Sequence, residues 1–263
     1  MYYREVKVKM YNYNFEDQKQ AWSHPPVDDI GYIDSEELLE YFDVELSELI
    51  RQLEITRYSG DRNYENKWRK YLGLDDTSNK KILDFGCGVG IEALQFAKMG
   101  SNKIHLADIV SSNLELSQRV LSLHKFEADS VNLITNKYPF VEIPEKVDVF
   151  YCNGVLHHIP YAREIIQRAL ELLTEEGEIR LMLYSDKGWM IQTEEPLPPI
   201  DHDITTHTYF YKFVRRFDGV GNYADWYNRE KLEYKFGDIV NIDFCDYICG
   251  DGRYLVTILK PKN

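Results

Sequence analysis

The segment KILDFGCGVGIEALQFAKMG, Lys81 to Gly100, constrains the fold of this chain more than any other stretch. A short apolar run carries an acid, Asp84, near its end, and Gly86, Gly88 and Gly90 then follow at alternate positions. A helical apolar pattern comes next. Glycine lets a backbone turn sharply and come close to a ligand. A strand, a glycine loop and a helix in that order are the opening unit of a parallel α/β sheet with a ligand at the loop.

The rest of the chain continues that pattern. Strands are expected at 80–85, 103–108, 131–136, 147–153 and 178–184, with helices at 90–99, 112–124 and 161–173 between them. Gly177 reads as the stop after the last of these helices. The tail departs from the pattern: DIVNIDFCDYIC, then Gly250-Asp251-Gly252, then RYLVTILKPK reads as a β-hairpin, whose second strand runs antiparallel to its first. The expected fold class is therefore α/β, a doubly wound, Rossmann-like sheet of seven strands with an antiparallel last strand.

Two segments are added to this frame. Residues 1–75 read as an N-terminal helical lid segment, and 76–263 as the main domain. In the lid, Asp34 to Leu53 reads as one amphipathic helix, capped by Asp34 or Ser35, with Leu38, Phe42, Leu46, Leu49 and Leu53 on one face. A short helix is expected over 63–72, presenting Tyr64, Trp68 and Leu72. Residues 186–227 are too long for a simple connection and read as an inserted cap. Asn228 caps a final helix that ends at Gly237.

Charge and cysteine content narrow the partners. The net charge of −13 opposes binding to a polyanion, so no nucleic acid is expected, although KFVRRF at 212–217 is a local basic run that also suits a solvated face. No run approaches the roughly 18 apolar residues of a membrane span, and MYYREVKVKM lacks the apolar core of a signal peptide. Of the four cysteines, Cys245 and Cys249 look paired in CDYIC, but four steps along a strand cover about 13 Å, too far for a disulfide. Unpaired thiols fit a reducing, cytoplasmic location.

Two nucleotide cofactors compete for the glycine loop. A dinucleotide site uses G-x-G-x-x-G, whereas here the spacing is G-x-G-x-G and Ile91 stands where that pattern has its third glycine. Asp84, two residues before Gly86, would repel a pyrophosphate and attract an ammonium group, which favours a cofactor carrying an amino acid. No Gly-Lys-Ser/Thr follows, which excludes a P-loop. Asp108, at the end of the second strand, can accept from two ribose hydroxyls.

ILDFGCGVG, HLADIV, VDVFYCNGVLHHIP and ALELLTEEGEIRLMLY together resemble the successive motifs of class I S-adenosylmethionine-dependent methyltransferases, closest to the small-molecule group that includes the ubiquinone-biosynthesis enzymes. The resemblance covers 80–184 and the final helix and hairpin. It implies S-adenosylmethionine as cofactor, S-adenosylhomocysteine as product and a small-molecule acceptor methylated on O or N, such as a sugar, a lipid-quinone or a secondary-metabolite intermediate. It also implies that Asp84 and the loop Gly86-Cys87-Gly88, closed by Gly90, face the methionine end. Asp108 would take the ribose and Ile109 the adenine. Asn136 stands near the position of an acid that meets the adenine amino group, and Asn153 would lie beside the methionine moiety, followed by Leu156 and His157. His157 or His158 would be the general base, or one of the pair would simply pack. Tyr58 would close over the cofactor or pack as an ordinary core residue. His202 and His207, beside Asp201 and Asp203 on the insertion, are candidates for acceptor contacts; they also resemble a metal set, though no metal is assigned. A tRNA or rRNA methyltransferase and a nicotinamide-dependent oxidoreductase remain alternatives, as does a non-catalytic partner subunit.

Overall fold

The computed structural model describes residues 13–27, 31–59, 67–135, 141–217 and 223–262. Seven strands form one sheet in the order β3-β2-β1-β4-β5-β7-β6: β1 Lys81–Phe85, β2 Lys103–Asp108, β3 Ser130–Leu133, β4 Val147–Asn153, β5 Leu173–Tyr184, β6 Val240–Ile248 and β7 Tyr254–Pro261. The first five are parallel, and β7 runs antiparallel between β5 and β6. This is the doubly wound sheet with an antiparallel last strand that the alternation predicts. Successive βα units place β2 and β3 on one side of β1 and β4 and β5 on the other, so the strand order reverses at β1.

Helices cover both faces. Against one face lie α5 Ile91–Lys98 and α6 Ser111–Leu123, joined by α2 Ser35–Glu40 and α3 Asp43–Ser59 from the N-terminal part; Leu38, Leu46, Ile50 and Leu53 share a core with Ile82, Phe96, Leu121 and Tyr151. Against the other face lie α7 Ala162–Leu172 and α10 Arg229–Phe236, through Ile165, Ile166, Leu232 and Phe236. The insertion folds around α8 Asp186–Thr193 and α9 Phe210–Phe217, with its own aromatic cluster of Trp189, Phe210, Phe213 and Trp226. Two more short helices are α1 Phe15–Trp22 and α4 Lys67–Tyr71.

Several local expectations change. The single helix expected over 34–53 is two helices, because Tyr41 is extended at ψ 144°. The carbonyl oxygens of Leu39 and Tyr41 accept from the Arg119 guanidinium on α6, at 2.6 and 2.5 Å, instead of continuing a helical ladder. Phe42 is consequently 76% exposed rather than on the buried face. α3 starts afresh at this break, where the Phe42 N–H donates to the Glu45 carboxylate at 2.9 Å, the reach-back half of a capping box. α7 ends at Leu172, and Leu173 is already extended, so Gly177 lies within β5 and is not a helix stop. β3 ends at Leu133, three residues earlier than expected. Tyr64, at the start of the helix expected over 63–72, lies outside the described residues. Helix α1 was not foreseen; Asn14 caps it by accepting from the Glu16 N–H at 3.0 Å.

Candidate functional site

A large cleft opens at the carboxyl ends of β1, β2, β4 and β5, where the strand order reverses. Open α/β sheets bind ligands at this place, because the loops on the two sides of the reversal separate and leave a crevice. Including its open mouth the cleft holds about 1450 Å³ of empty space.

One end is built by the glycine loop. The N–H groups of Gly86 and Cys87 donate to the Ala107 carbonyl oxygen at the end of β2, at 2.7 and 3.2 Å, which ties the loop to the neighbouring strand. Gly88 has φ +51°, and a methyl built on it would meet only Pro25, at 4.0 Å, so the loop is bare on the cleft side. Gly90 does a different job: at φ +78° it starts α5, and a Cβ there would lie 2.8 Å from the Ser117 Cα. Gly90 thus lets α5 and α6 close on each other and is not part of the cleft wall.

Asp108 lies in that wall. It accepts from the Gly88 N–H at 3.1 Å, the Val110 N–H at 2.9 Å and the Asn113 side-chain amide at 3.2 Å. Burial pushes its pKa up and these donors pull it back. Asn113 also donates to the Trp22 carbonyl oxygen at 3.1 Å, which links α1 to the strand end. Ile109, Cys87 and Asn153 line the cleft, and Asn136 lies outside the described residues.

Asp84 is only 2% exposed and lies behind the described wall rather than in it, and its Oδ2 has no hydrogen-bond partner among the described residues. Burial raises its pKa well above the ordinary carboxylate value, and the charges of Glu92 and Asp108 raise it further. Glu92, like Asp108, does reach the cleft. It binds the Arg57 guanidinium at 2.9 and 3.1 Å, the Tyr58 hydroxyl at 3.2 Å and the Asn153 amide at 2.9 Å. Tyr58 is therefore a buried support for Glu92 and does not close over the cleft; its neighbour Arg57 does line it.

The opposite end is aromatic. Tyr13, Phe15 and Trp22 come from the N-terminal segment, Tyr161 from the turn before α7, Tyr184 from the end of β5, Phe217 from the insertion and Tyr254 from β7. Tyr184 is stacked between His157 and Phe217, each at 3.7 Å between ring centroids. Of the two histidines only His158 lines the cleft, where Trp22 lies 4.6 Å from its ring. His157 is fully buried, and its Nδ1 accepts from the Tyr184 backbone N–H at 3.3 Å. Burial pushes both imidazoles down, that of His158 to about 4, so neither titrates near neutrality.

His202 and His207 lie away from the cleft wall. Their rings meet edge to face at 5.6 Å, and His207 packs against Trp189. Among the described residues no group of three or more His, Cys, Asp or Glu side chains is arranged to hold a metal ion.

Sequence reasoning missed Glu92, Arg57, Asn113 and α1. Glu92 had one legible signal, a lone acid in the otherwise apolar first turn of IEALQFA, where a buried charge demands partners. The partners come from distant elements and carry no local signature.

Residues 76–228 match the family model described as methyltransferase domain, more than half of the chain. The chain is 27% identical over 143 residues to the mitochondrial ubiquinone biosynthesis O-methyltransferase of Schizosaccharomyces pombe, covering 52% of this chain and 51% of that protein. It is 31% identical over 110 residues to the ubiquinone biosynthesis O-methyltransferase of Cupriavidus pinatubonensis, covering 41% and 42%. The match therefore spans about half or less of the length of these relatives. Among solved structures, an S-adenosylmethionine-dependent methyltransferase of Clostridium acetobutylicum superposes with a TM-score of 0.57 at 11% identity, covering 81% of this chain and 98% of that one. Magnesium protoporphyrin IX methyltransferase of Synechocystis with bound S-adenosylhomocysteine does so at 0.50 and 13% identity, covering 94% of each chain. With its sheet order, its glycine loop at the switch point and a domain match across residues 76–228, the chain belongs to the methyltransferase-domain family, within the class I S-adenosylmethionine-dependent methyltransferases.

Proposed function

We propose that the chain transfers a methyl group from S-adenosylmethionine to an oxygen or nitrogen atom of a small-molecule acceptor. The observation that carries this reading is the division of one cleft into a glycine-loop end, with Asp108 fixed on the Gly88 N–H at 3.1 Å, and an aromatic end walled by Tyr13, Tyr161, Tyr184 and Phe217. The residues suit the cofactor. Gly88 leaves its side of the loop open, and the acids Asp84, Glu92 and Asp108 are buried near the loop while Arg57 is the one Lys or Arg among the described residues of the wall, which favours a ligand bearing positive charge.

When bound, the cofactor supplies an activated methyl group on a sulfonium. The chain then has to orient its ligands, exclude water and place the acceptor in line. In this reading Asp108 holds the ribose hydroxyls and Ile109 borders the adenine. Gly86, Cys87 and Gly88 form the floor under the methionine moiety, and Asn153 flanks it. Asp84 acts from behind the loop through its charge, and Gly90 and Tyr58 support the wall. The N-terminal segment and Phe217 of the 186–227 insertion cover the acceptor end.

His158 is the polar group best placed to meet an acceptor hydroxyl or amine. Its Nδ1 lies 2.8 Å from the Tyr223 carbonyl oxygen, which can only accept, so Nδ1 carries the proton and Nε2 the lone pair. The acceptors that suit an aromatic wall are ring-bearing or apolar molecules, such as a quinone or secondary-metabolite intermediate; a sugar stacking on tyrosine also fits. A nucleic-acid acceptor is disfavoured by the net charge of −13 and by a wall whose described residues include one cation, Arg57. The four free thiols suit a reducing compartment such as the cytoplasm. Among the described residues no helix is long and apolar enough to cross a membrane.

Calorimetric titration with S-adenosylhomocysteine, run in parallel with NADH, tests the cofactor. The expected result is binding of the first alone; binding of NADH alone would replace methyl transfer with hydride transfer. Product formation from radiolabelled S-adenosylmethionine across phenol, amine and sugar panels then identifies the acceptor.

A further inference from the structure

The acid expected to meet the amino-acid end of the cofactor, Asp84, stands behind the cleft wall, while Glu92 in the first turn of α5 stands in it. Glu92 is held more completely than a surface-type acid of a helix first turn would be. Its Oε1 accepts from three donors brought by two other elements: Arg57 Nη1 at 2.9 Å and the Tyr58 hydroxyl at 3.2 Å from α3, and the Asn153 side-chain amide at 2.9 Å from the end of β4. Its Oε2 accepts, among the described residues, only from Arg57 Nη1 at 3.1 Å. A carboxylate offers about four lone-pair sites. Oε1 is crowded, and Oε2 has acceptor capacity left. Arg57 and Glu92 are each about 8% exposed at the side chain and both line the cleft. They put one negative and one positive group side by side next to the glycine loop. An α-amino acid carries the complementary pair, an ammonium and a carboxylate.

We propose that Glu92 is the residue by which this chain reads the amino-acid end of its cofactor: its Oε2 accepts from the α-ammonium, and the same carboxylate holds the Arg57 guanidinium beside the α-carboxylate. This rests on the methyltransferase reading and replaces Asp84 as the contacting acid. Tyr58 and Asn153 are positioning residues that fix the carboxylate through Oε1, so that its direction is set before any ligand arrives. The role explains why four polar groups are gathered in a nearly water-free corner, where an arginine-carboxylate pair gives little net stability by itself.

The test compares two ligands that differ only at this end. S-adenosylhomocysteine carries the amino-acid group; 5′-methylthioadenosine keeps the nucleoside and thioether and lacks it. Both are titrated calorimetrically into the full chain and into Glu92→Gln. The expected result is S-adenosylhomocysteine binding about tenfold to a hundredfold weaker in the variant, the loss of a charge-assisted hydrogen bond, with 5′-methylthioadenosine binding changed less than about twofold. Because Glu92→Gln takes the Glu92 carboxylate away from the buried Arg57 guanidinium, the double variant Glu92→Gln/Arg57→Met, which removes both charges, is measured beside it and is expected to show the same selective loss. Equal weakening of both ligands would assign Glu92 a purely structural role and overturn the proposal. Unchanged S-adenosylhomocysteine affinity would also overturn it. If the unaltered chain binds the two ligands equally well, the amino-acid end is not read at all, and the proposal falls while the cofactor class stands. If it binds neither, the cofactor reading falls and takes the proposal with it.

Discussion

His158 Nδ1 lies 2.8 Å from the carbonyl oxygen of Tyr223, and this contact sets both the tautomer and the direction of the one histidine ring in the cleft wall. The ring is locked from the residue that follows the segment 218–222, so the insertion and the loop after β4 are joined at the site itself.

The first prediction concerns pH. Burial lowers the His158 pKa from 6.5 to about 4, so the unfolded chain binds a proton between those values that the folded chain does not. Stability is complete above about pH 6.5 and falls as pH drops toward 4. Over that range this group alone accounts for about 3 kcal/mol, at about 1.36 kcal/mol per pKa unit. In urea titrations at pH 7 and pH 4.5, His158→Gln should show a smaller pH-dependent loss than the unaltered chain. Its methyl-transfer rate should fall about a hundredfold or more if the ring takes the acceptor proton. An unchanged rate would leave His158 a packing residue.

Asp84 should show the opposite stability behaviour. Its raised pKa means that ionisation at neutral pH costs stability, which returns as pH falls. Asp84→Asn removes that charge without changing shape. It should raise Tm by a few degrees while weakening S-adenosylhomocysteine binding, a trade of stability against function. Differential scanning calorimetry with and without the ligand reads both effects; a lowered Tm would show that the carboxylate is structurally required.

Gly90→Ala should destabilise the chain by about 1–3 kcal/mol, because its φ of +78° strains an alanine and the new methyl meets Ser117 at 2.8 Å. Gly250→Ala, where nothing lies within 4 Å, should be nearly neutral. Chemical denaturation of the two variants side by side separates a packing role from a general effect of losing glycine.

Asp225 is buried between Lys231, at 2.6 Å, and Lys235, at 2.7 Å. Burial pushes its pKa up, but the two ammonium groups outweigh burial and hold it below the usual carboxylate value. Its contribution is therefore present above about pH 4 and lost as pH falls further. Asp225→Ala leaves Lys231 buried without its counter-charge and should cost about 3–5 kcal/mol. Because the Asp225 N–H also donates to the His157 carbonyl oxygen at 2.9 Å, the near-ultraviolet circular dichroism of the aromatic cluster should change as well.

The frame of the fold was legible because its signals are local. A glycine loop must follow β1, Asp108 must end β2, and apolar runs of five to seven residues must alternate with helices, whatever the surroundings. The Gly-Asp-Gly turn likewise announced the hairpin that places an antiparallel strand in the sheet. Those features depend on backbone conformation and periodicity, which each short stretch carries for itself.

The tertiary structure decided which of two similar groups faces the cleft. Asp84 and Glu92 are both acids near the glycine loop; strand direction buries the first behind the wall, and α5 turns the second into it. His157 and His158 are adjacent, and only the stacking of Tyr184 on one and the carbonyl oxygen of Tyr223 on the other separates their roles. Arg119 on α6 breaks the helix expected over 34–53 by taking the carbonyl oxygens of Leu39 and Tyr41, from 80 and 78 residues away. Those choices rest on partners brought from distant parts of the chain, and burial then sets the protonation of each group. By itself the sequence determined that a cofactor loop exists; the packing of α1, α3 and the insertion around it determined what the rest of the cleft presents.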